Sequence, residues 1–289
     1  MCGIAGIFSL NDNDYVDVSL IKKMTDSLKH RGPDDEGFLL VNTKDKKIVE
    51  CGGDDSVVNL PSIGEIKGSY NLLLGHRRLS ILDPTPAGHQ PMCYDNLWIV
   101  YNGEIYNYIE LREELSGKGY EFKTNTDTEV ILASYKEWGF NCVKKFNGMW
   151  AFVIYDPERN ILFGSRDRFG VKPLYYFKTD EYFIFASEIK AILQLPFIKR
   201  RVNEGILYDY LIYGILEHSE ETFFEGILKL MPSHSFKLDL DMGKLKIFKY
   251  YSLKFNLNFG KFSDEQFEIY KNNVKKLIFQ AVQLRLRAD

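Results

Sequence analysis

The chain has 289 residues; 45% are hydrophobic, 37 are Lys or Arg and 40 are Asp or Glu, for a formal net charge of −3. That apolar content excludes a disordered chain, and a near-balanced charge with no basic stripe excludes a general nucleic-acid partner. No apolar run approaches the roughly 18 residues of a membrane span, so no membrane partner is expected.

The length fits one large domain, or one domain plus a piece of another. The apolar start, Cys2 to Leu10, has no basic flank and meets Asp12 and Asp14 at once. It therefore does not read as a secretory leader, and a cytoplasmic location is expected. The cysteines, Cys2, Cys51, Cys93 and Cys142, form no CxxC pair. They are expected to be reduced and to hold no structural zinc.

In chain order, Ile4 to Phe8 reads as a strand, and Val18, Ile21, Met24 and Leu28 recur at helical spacing. Asn71 to Leu82 and Leu97 to Tyr101 read as strands. Tyr108 to Ser116 reads as a helix stopped by Gly117. Thr126 to Trp138 reads as a helix opened by a capping box, Thr126 with Glu129, and closed by Gly139. Met149 to Tyr155, Asn160 to Ser165, Leu174 to Phe177 and Tyr182 to Ala186 read as antiparallel strands joined by turns. Two strand layers covered by helices would bury this pattern.

After Pro196 the character shifts. Lys199, Arg200 and Arg201 mark an exposed junction, and a short helix is expected at Glu204 to Tyr213. Ser235 to Leu240 and Leu245 to Tyr251 read as a hairpin around Asp241-Met242-Gly243. Asn256 to Lys261 reads as a linker. The helix expected at Ser263 to Arg287 starts with a capping box, Ser263 with Gln266, and aligns Phe267, Tyr270, Val274, Leu277, Ile278, Ala281 and Leu284 on one face. That face needs something to pack on, so association, a homo-oligomer among the possibilities, or fraying is expected unless a partner covers it.

Four positions carry candidate chemistry, each with a plainer reading beside it. Cys2 becomes the N-terminal residue if Met1 is removed. Its α-amine (unperturbed pKa about 7.7 to 8.0) could then take the thiol proton, making one residue both nucleophile and base. The plainer reading is a small buried hydrophobe opening a strand. Asn102-Gly103 is a hairpin-turn signal. It could equally aim a side-chain amide and a backbone N–H at a developing oxyanion. Arg78 is either a solvated strand residue or a clamp for a carboxylate. Asp127, in the first turn of a helix, either complements the helix dipole or receives an ammonium.

The motifs around these residues resemble a known family. The start Met1-Cys2-Gly3-Ile4-Ala5-Gly6-Ile7-Phe8 resembles class II glutamine amidotransferases. Arg31-Gly32-Pro33-Asp34-Asp35-Glu36-Gly37, Gly88-His89-Gln90-Pro91-Met92 and Phe146-Asn147-Gly148-Met149-Trp150-Ala151-Phe152 narrow the match. Ser165-Arg166-Asp167-Arg168-Phe169-Gly170-Val171-Lys172-Pro173-Leu174-Tyr175-Tyr176 and Phe185-Ala186-Ser187-Glu188-Ile189-Lys190-Ala191 narrow it further. The chain thus resembles the glutaminase part of a glutamine-hydrolysing asparagine synthetase.

The resemblance implies an α+β fold, the N-terminal nucleophile hydrolase sandwich with layers α/β/β/α. It implies a glutaminase domain over residues 2–195, an extension and linker over 196–262, and the start of a truncated synthetase domain over 263–289. Catalytic roles fall on Cys2 as nucleophile and on Asn102 and Gly103 as oxyanion donors. L-Glutamine would be held by Arg78, Leu79, Ile81, Leu82, Asn102, Gly103, Glu104 and Asp127, with Arg78 on the α-carboxylate and Asp127 on the α-ammonium. No cofactor or metal is expected in this chain; ATP and Mg2+ are expected in the synthetase domain. The Ser-Gly-Gly-x-Asp-Ser loop of that domain has no match in this sequence. A fragment, half of a split enzyme and a remnant all remain open. So do other acceptors, such as a sugar acid in surface-polysaccharide synthesis, and an inactive regulatory module. Pro232-Ser233-His234 departs from the family, which usually has Gly before the His; a Ser would strain a turn that needs φ > 0.

Overall fold

Strand β1 (Gly3–Ser9) shows why this sequence makes two sheets. Ile4 and Phe8 face one core while Ala5 and Ile7 face another. With side chains alternating along a strand, a strand apolar at both parities must be covered on both faces. The computed structural model describes residues 1–11, 15–255, 260 and 263–287.

The chain continues through α1 (Val18–Asp26), β2 (Asp35–Asn42), β3 (Lys47–Gly52), β4 (Leu72–Arg78), β5 (Met92–Tyr94) and β6 (Leu97–Ile105). Then come α2 (Tyr108–Ser116), α3 (Asp127–Trp138), β7 (Gly148–Asp156), β8 (Ile161–Arg166), β9 (Tyr175–Lys178) and β10 (Tyr182–Ala186). The last elements are α4 (Ile189–Ile192), α5 (Glu204–Tyr213), β11 (Ile227–Lys229), β12 (His234–Asp239), β13 (Leu245–Lys249) and α6 (Asp264–Arg285).

One sheet has the order β11-β9-β10-β1-β4-β2-β3 and the other β13-β12-β8-β7-β6-β5, with antiparallel pairing throughout. Between them lie Ile4, Phe8, Leu39, Val41, Leu72 and Leu74 from the first sheet, against Val100, Ala151, Val153 and Leu162 from the second. The opposite parity of the first sheet, Ala5, Ile7, Phe38 and Leu40, packs on Ile21 and Met24 of α1 and on α4. That of the second, Ile99, Phe152 and Ile154, packs on Leu111 and Leu115 of α2 and Val130 to Ala133 of α3. The layers are α/β/β/α, the N-terminal nucleophile hydrolase sandwich expected from the resemblance.

The chain past residue 195 belongs to both sheets: β11 extends the first beyond β9, and the β12–β13 hairpin extends the second beyond β8. That hairpin turns at Gly243, φ 63°, with Asp239 Oδ1 accepting from the backbone of Asp241 and Met242. Helix α6 has no buried residue; Phe267, Tyr270, Val274, Leu277 and Ile278 stand in solvent. Its C-terminal end is tethered by Arg287, which pairs with Glu110 at 2.7 Å and donates to the Tyr106 carbonyl at 2.9 Å. The expected linker, 256–261, lies almost entirely outside the described residues.

The structure corrects three local readings. The strand expected to reach Leu82 ends at Arg78, because the Arg78 guanidinium binds the carbonyls of Leu82, Asp83 and Thr85 and pulls the chain out of the sheet. Asn102-Gly103 makes no hairpin: β6 runs through it, pairing Asn102 with Ala151 and Gly103 with Trp150. The capping box of α3 is half formed. Thr126 Oγ1 accepts from Glu129 N at 3.3 Å, but the Glu129 carboxylate turns to the backbone N–H groups of Lys123 and Thr124. Ser233 does occupy a left-handed turn, φ 67°, and its hydroxyl secures the turn by donating to the Arg168 carbonyl at 2.8 Å.

Candidate active site

Antiparallel pairing of Gly3 with Arg77 places the N-terminal end of β1 beside the C-terminal end of β4. Cys2 therefore meets the segment after Arg78. Leu79 N donates to Cys2 Sγ at 3.4 Å, and the thiol lies 3.6 Å from Leu79 O. Arg31 fixes the Cys2 main chain from the other side: its Nε donates to the Cys2 carbonyl at 2.9 Å, while its Nη1 pairs with Glu188 at 2.8 Å.

A pocket of ≈ 470 Å³, partly open to solvent, collects all nine residues anticipated from the sequence: Cys2, Arg78, Leu79, Ile81, Leu82, Asn102, Gly103, Glu104 and Asp127. They come from the start of β1, the end of β4 and its loop, the second half of β6 and the first turn of α3. The structure thus brings together residues 125 positions apart in the chain. Arg78 is almost fully buried, with three donor contacts spent on the loop carbonyls, so it shapes the pocket wall as well as charging it.

Asn102 is the most unusual group in the pocket. The residue is fully buried, yet neither its Nδ2 nor its Oδ1 has a hydrogen-bond partner. A buried amide left unpaired costs on the order of 1–3 kcal/mol, so a ligand that bonds it recovers that energy. Gly103 beside it has no room for a side chain: a Cβ would lie 2.3 Å from Met149 O and 2.8 Å from Trp150 Cα.

Asp127 Oδ2 accepts from Ile105 N and from the Tyr101 hydroxyl, both at 2.8 Å. Burial raises its carboxyl above the ordinary range against the pull of those hydrogen bonds. Glu104 is raised likewise, by burial and by the nearby Asp127. Two buried acids in one pocket resist being charged together, which suits them to a cationic group. The Cys2 thiol is pushed up by burial, and the Leu79 hydrogen bond, the α-amine, Arg78 and Lys172 oppose that push. The terminal α-amine, here on Met1, is lowered by burial; Lys172 and Arg31 lower it further, while Cys2 and Asp34 pull the other way.

Similarity to known proteins gives the family. The glutamine amidotransferase domain family matches residues 61–251. A Methanocaldococcus jannaschii protein carrying the provisional name asparagine synthetase (glutamine-hydrolyzing) 2 is 38% identical over 100% of this chain and 53% of its own length. Asparagine synthetase (glutamine-hydrolyzing) 3 of Bacillus subtilis is 37% identical over 83% of this chain and 35% of its own. The chain belongs to the glutamine amidotransferase family, asparagine synthetase type. It spans about half the length of the first of these relatives and about a third of the second. Among solved structures, the glutamine phosphoribosylpyrophosphate amidotransferase of Bacillus subtilis, complexed with ADP and GMP, shares the fold. The TM-score is 0.62 at 20% identity, over 86% of this chain and 49% of that one.

The amidotransferase pocket also holds residues that the sequence reading did not single out, among them Gln90, Tyr101, Thr128 and Lys172. Gln90 Oε1 accepts from Tyr101 N at 2.8 Å, bracing the strand just before Asn102. Behind it, His76 of β4 reaches across the sandwich to the Tyr101 carbonyl at 2.9 Å, which requires the imidazole hydrogen on Nε2. Gln90, Arg31 and Lys172 all lie within the motifs quoted for the resemblance, and that was their only signal in the sequence. Among the described residues, no helix is long and apolar enough to cross a membrane.

Proposed function

We propose that this chain hydrolyses L-glutamine to glutamate and ammonia, with Cys2 as nucleophile after removal of Met1. The observation that carries the reading is the buried Asn102 amide, unpaired at both ends in the same pocket as the thiol. The Cys2 sulfur attacks the side-chain amide carbon of glutamine while its proton passes to the Cys2 α-amine. The oxyanion that forms is held by the Asn102 Nδ2–H and the Gly103 backbone N–H. The protonated α-amine returns its proton to the leaving nitrogen, and ammonia departs, leaving a γ-glutamyl thioester. Water attacks the thioester, the sulfur leaves as the thiol, and glutamate is released.

At the other end of the substrate, the Asp127 and Glu104 carboxylates fit the α-ammonium and Arg78 the α-carboxylate. Leu79, Ile81 and Leu82 line the wall between. We place the ammonia acceptor, aspartate, in a synthetase part that uses ATP and Mg2+ and lies beyond the glutaminase domain of residues 2–195 and its extension, 196–262. Among the described residues there is no group of three or more His, Cys, Asp or Glu that could hold a metal ion.

Glutamate release from glutamine, without ATP, tests the reading. The chain with Met1 removed, as shown by intact mass, is expected to turn over, and Cys2→Ala to be inactive. Activity retained in Cys2→Ala would end the mechanism. Supplying a synthetase half and comparing aspartate with uronic acids as acceptors identifies the second substrate.

A further inference from the structure

One buried charge in the pocket has no part in the mechanism above. Lys172 is only 4% exposed, and its ammonium makes no hydrogen bond or ion pair among the described residues. Burying an ammonium without a direct partner is costly, so chance packing is a poor account of it. Its place is nevertheless tightly fixed. The Asp167 carboxylate accepts the backbone N–H groups of Phe169, Val171 and Lys172, each at 3.0 Å, and Arg166 Nε donates to the Lys172 carbonyl at 2.7 Å. The 167–172 loop is thereby wrapped around a buried acid so as to present one lysine to the pocket.

Lys172 lines the same pocket as Met1, Cys2 and Glu104, and the charges that act on it are those of Cys2, Glu104, Arg31, Asp167 and the terminal amine. Those facing Cys2 are the terminal amine, Arg78 and Lys172, with Leu79 bonding the sulfur. Burial in this pocket favours the neutral, unreactive thiol, so the pocket must supply positive charge for attack at neutral pH. Arg78 is poorly placed to do so alone, because its guanidinium is directed at the carbonyls of Leu82, Asp83 and Thr85. We infer that Lys172 is the positioning residue that sets the charge balance at the nucleophile, a fixed cation that favours the Cys2 thiolate. This rests on Cys2 being the nucleophile.

The test reads the thiol rather than turnover. Alkylation of Cys2 by iodoacetamide is followed by peptide mass against pH. A Cys93→Ala background removes the exposed thiol, and Cys51 and Cys142 are buried. Lys172→Met is expected to raise the midpoint of the alkylation profile by about one unit. It should slow the reaction about threefold at pH 7, tenfold less thiolate being partly offset by the greater nucleophilicity of a more basic thiol. Lys172→Arg, which keeps the charge, should restore the profile, an effect a merely structural role would not produce. Lys172→Gln gives the same reading should the Met variant misfold, with circular dichroism reporting the fold. Profiles of the neutral variants superimposable on the wild type would overturn the inference. Failure of the nucleophile reading itself would appear separately, as glutaminase activity surviving in Cys2→Ala.

Discussion

Lowering the pH from 7.5 to 5.0 should weaken the fold through one residue behind the active site. His76 is fully buried on β4, and its Nε2–H donates across the sandwich to the Tyr101 carbonyl, one residue before Asn102. Burial pushes the imidazole from 6.5 down to about 3; the Tyr101 bond and Asp35 resist that shift, and His89 and Arg78 add to it. A base whose folded pKa lies below its unfolded value contributes full stability above the unfolded pKa. That stability is lost as pH falls from about 6.5 toward about 3. At pH 5.0 the unfolded imidazole is about 97% protonated and the folded one about 1%, which costs about 2 kcal/mol relative to pH 7.5. His76→Gln keeps an amide donor for Tyr101 and removes the titration. Urea unfolding of both proteins at several pH values, followed by tryptophan fluorescence and circular dichroism, measures the difference. Glu104 and Asp127 titrate in both and cancel. The wild type should lose about 2 kcal/mol more than the variant over this interval. A difference below about 0.5 kcal/mol would show that the imidazole is not held neutral by burial.

The proposed oxyanion site and the left-handed turn at Ser233 give further tests. Asn102→Ala should lower kcat about 100- to 1000-fold with the melting temperature held, because its amide bonds nothing else; near-normal turnover would remove Asn102 from the reaction. Gly103→Ala should cost about 1–3 kcal/mol and most activity, since its Cβ would collide with the β7 backbone; a variant melting and turning over like the wild type would refute that close approach. At Ser233, alanine should cost about 1 kcal/mol by losing the bond to Arg168 O while keeping the left-handed strain. Glycine gives up the same bond but relieves roughly 1–2 kcal/mol of strain, so it should be the more stable of the two. Alanine outranking glycine in thermal unfolding would show that φ at Ser233 stores no strain.

Where apolar residues occur at both parities or at helical spacing, sequence and structure agree closely. β10 and α5 have the boundaries read from the chain, and α2 and α3 differ by at most one residue. Most of the elements that escaped notice lack that pattern. β2 carries it over Phe38 to Val41 but opens with Asp35-Glu36-Gly37, where nothing local reveals that Glu36 is fully buried against Arg77 at 2.8 Å. β3 is an edge strand with charged and half-exposed positions, and β5 and β11 are three residues each. Short edges are specified by their neighbours rather than by their own composition. Lys172 escaped because a lone lysine reads as solvated until the buried Asp167 carboxylate, five residues earlier, is seen to hold its loop.

Asn102-Gly103 shows the same competition at the site itself. Locally the pair favours a tight turn. It instead stays extended because β7 is already paired on both sides of it, Tyr101 with Phe152 and Glu104 with Met149. In that setting the two residues do different work. Glycine is required because Met149 O approaches too closely for any Cβ, and asparagine is then locked in the wall with no partner for either end of its amide. Packing alone gives no reason to hold such a group, since an apolar residue of similar size would leave nothing unsatisfied. The unpaired amide is therefore a feature whose energy balances only when a ligand oxygen or amide nitrogen is present. It lies in the pocket where the Cys2 thiol and the two carboxylates would place the side chain and the ammonium of one glutamine.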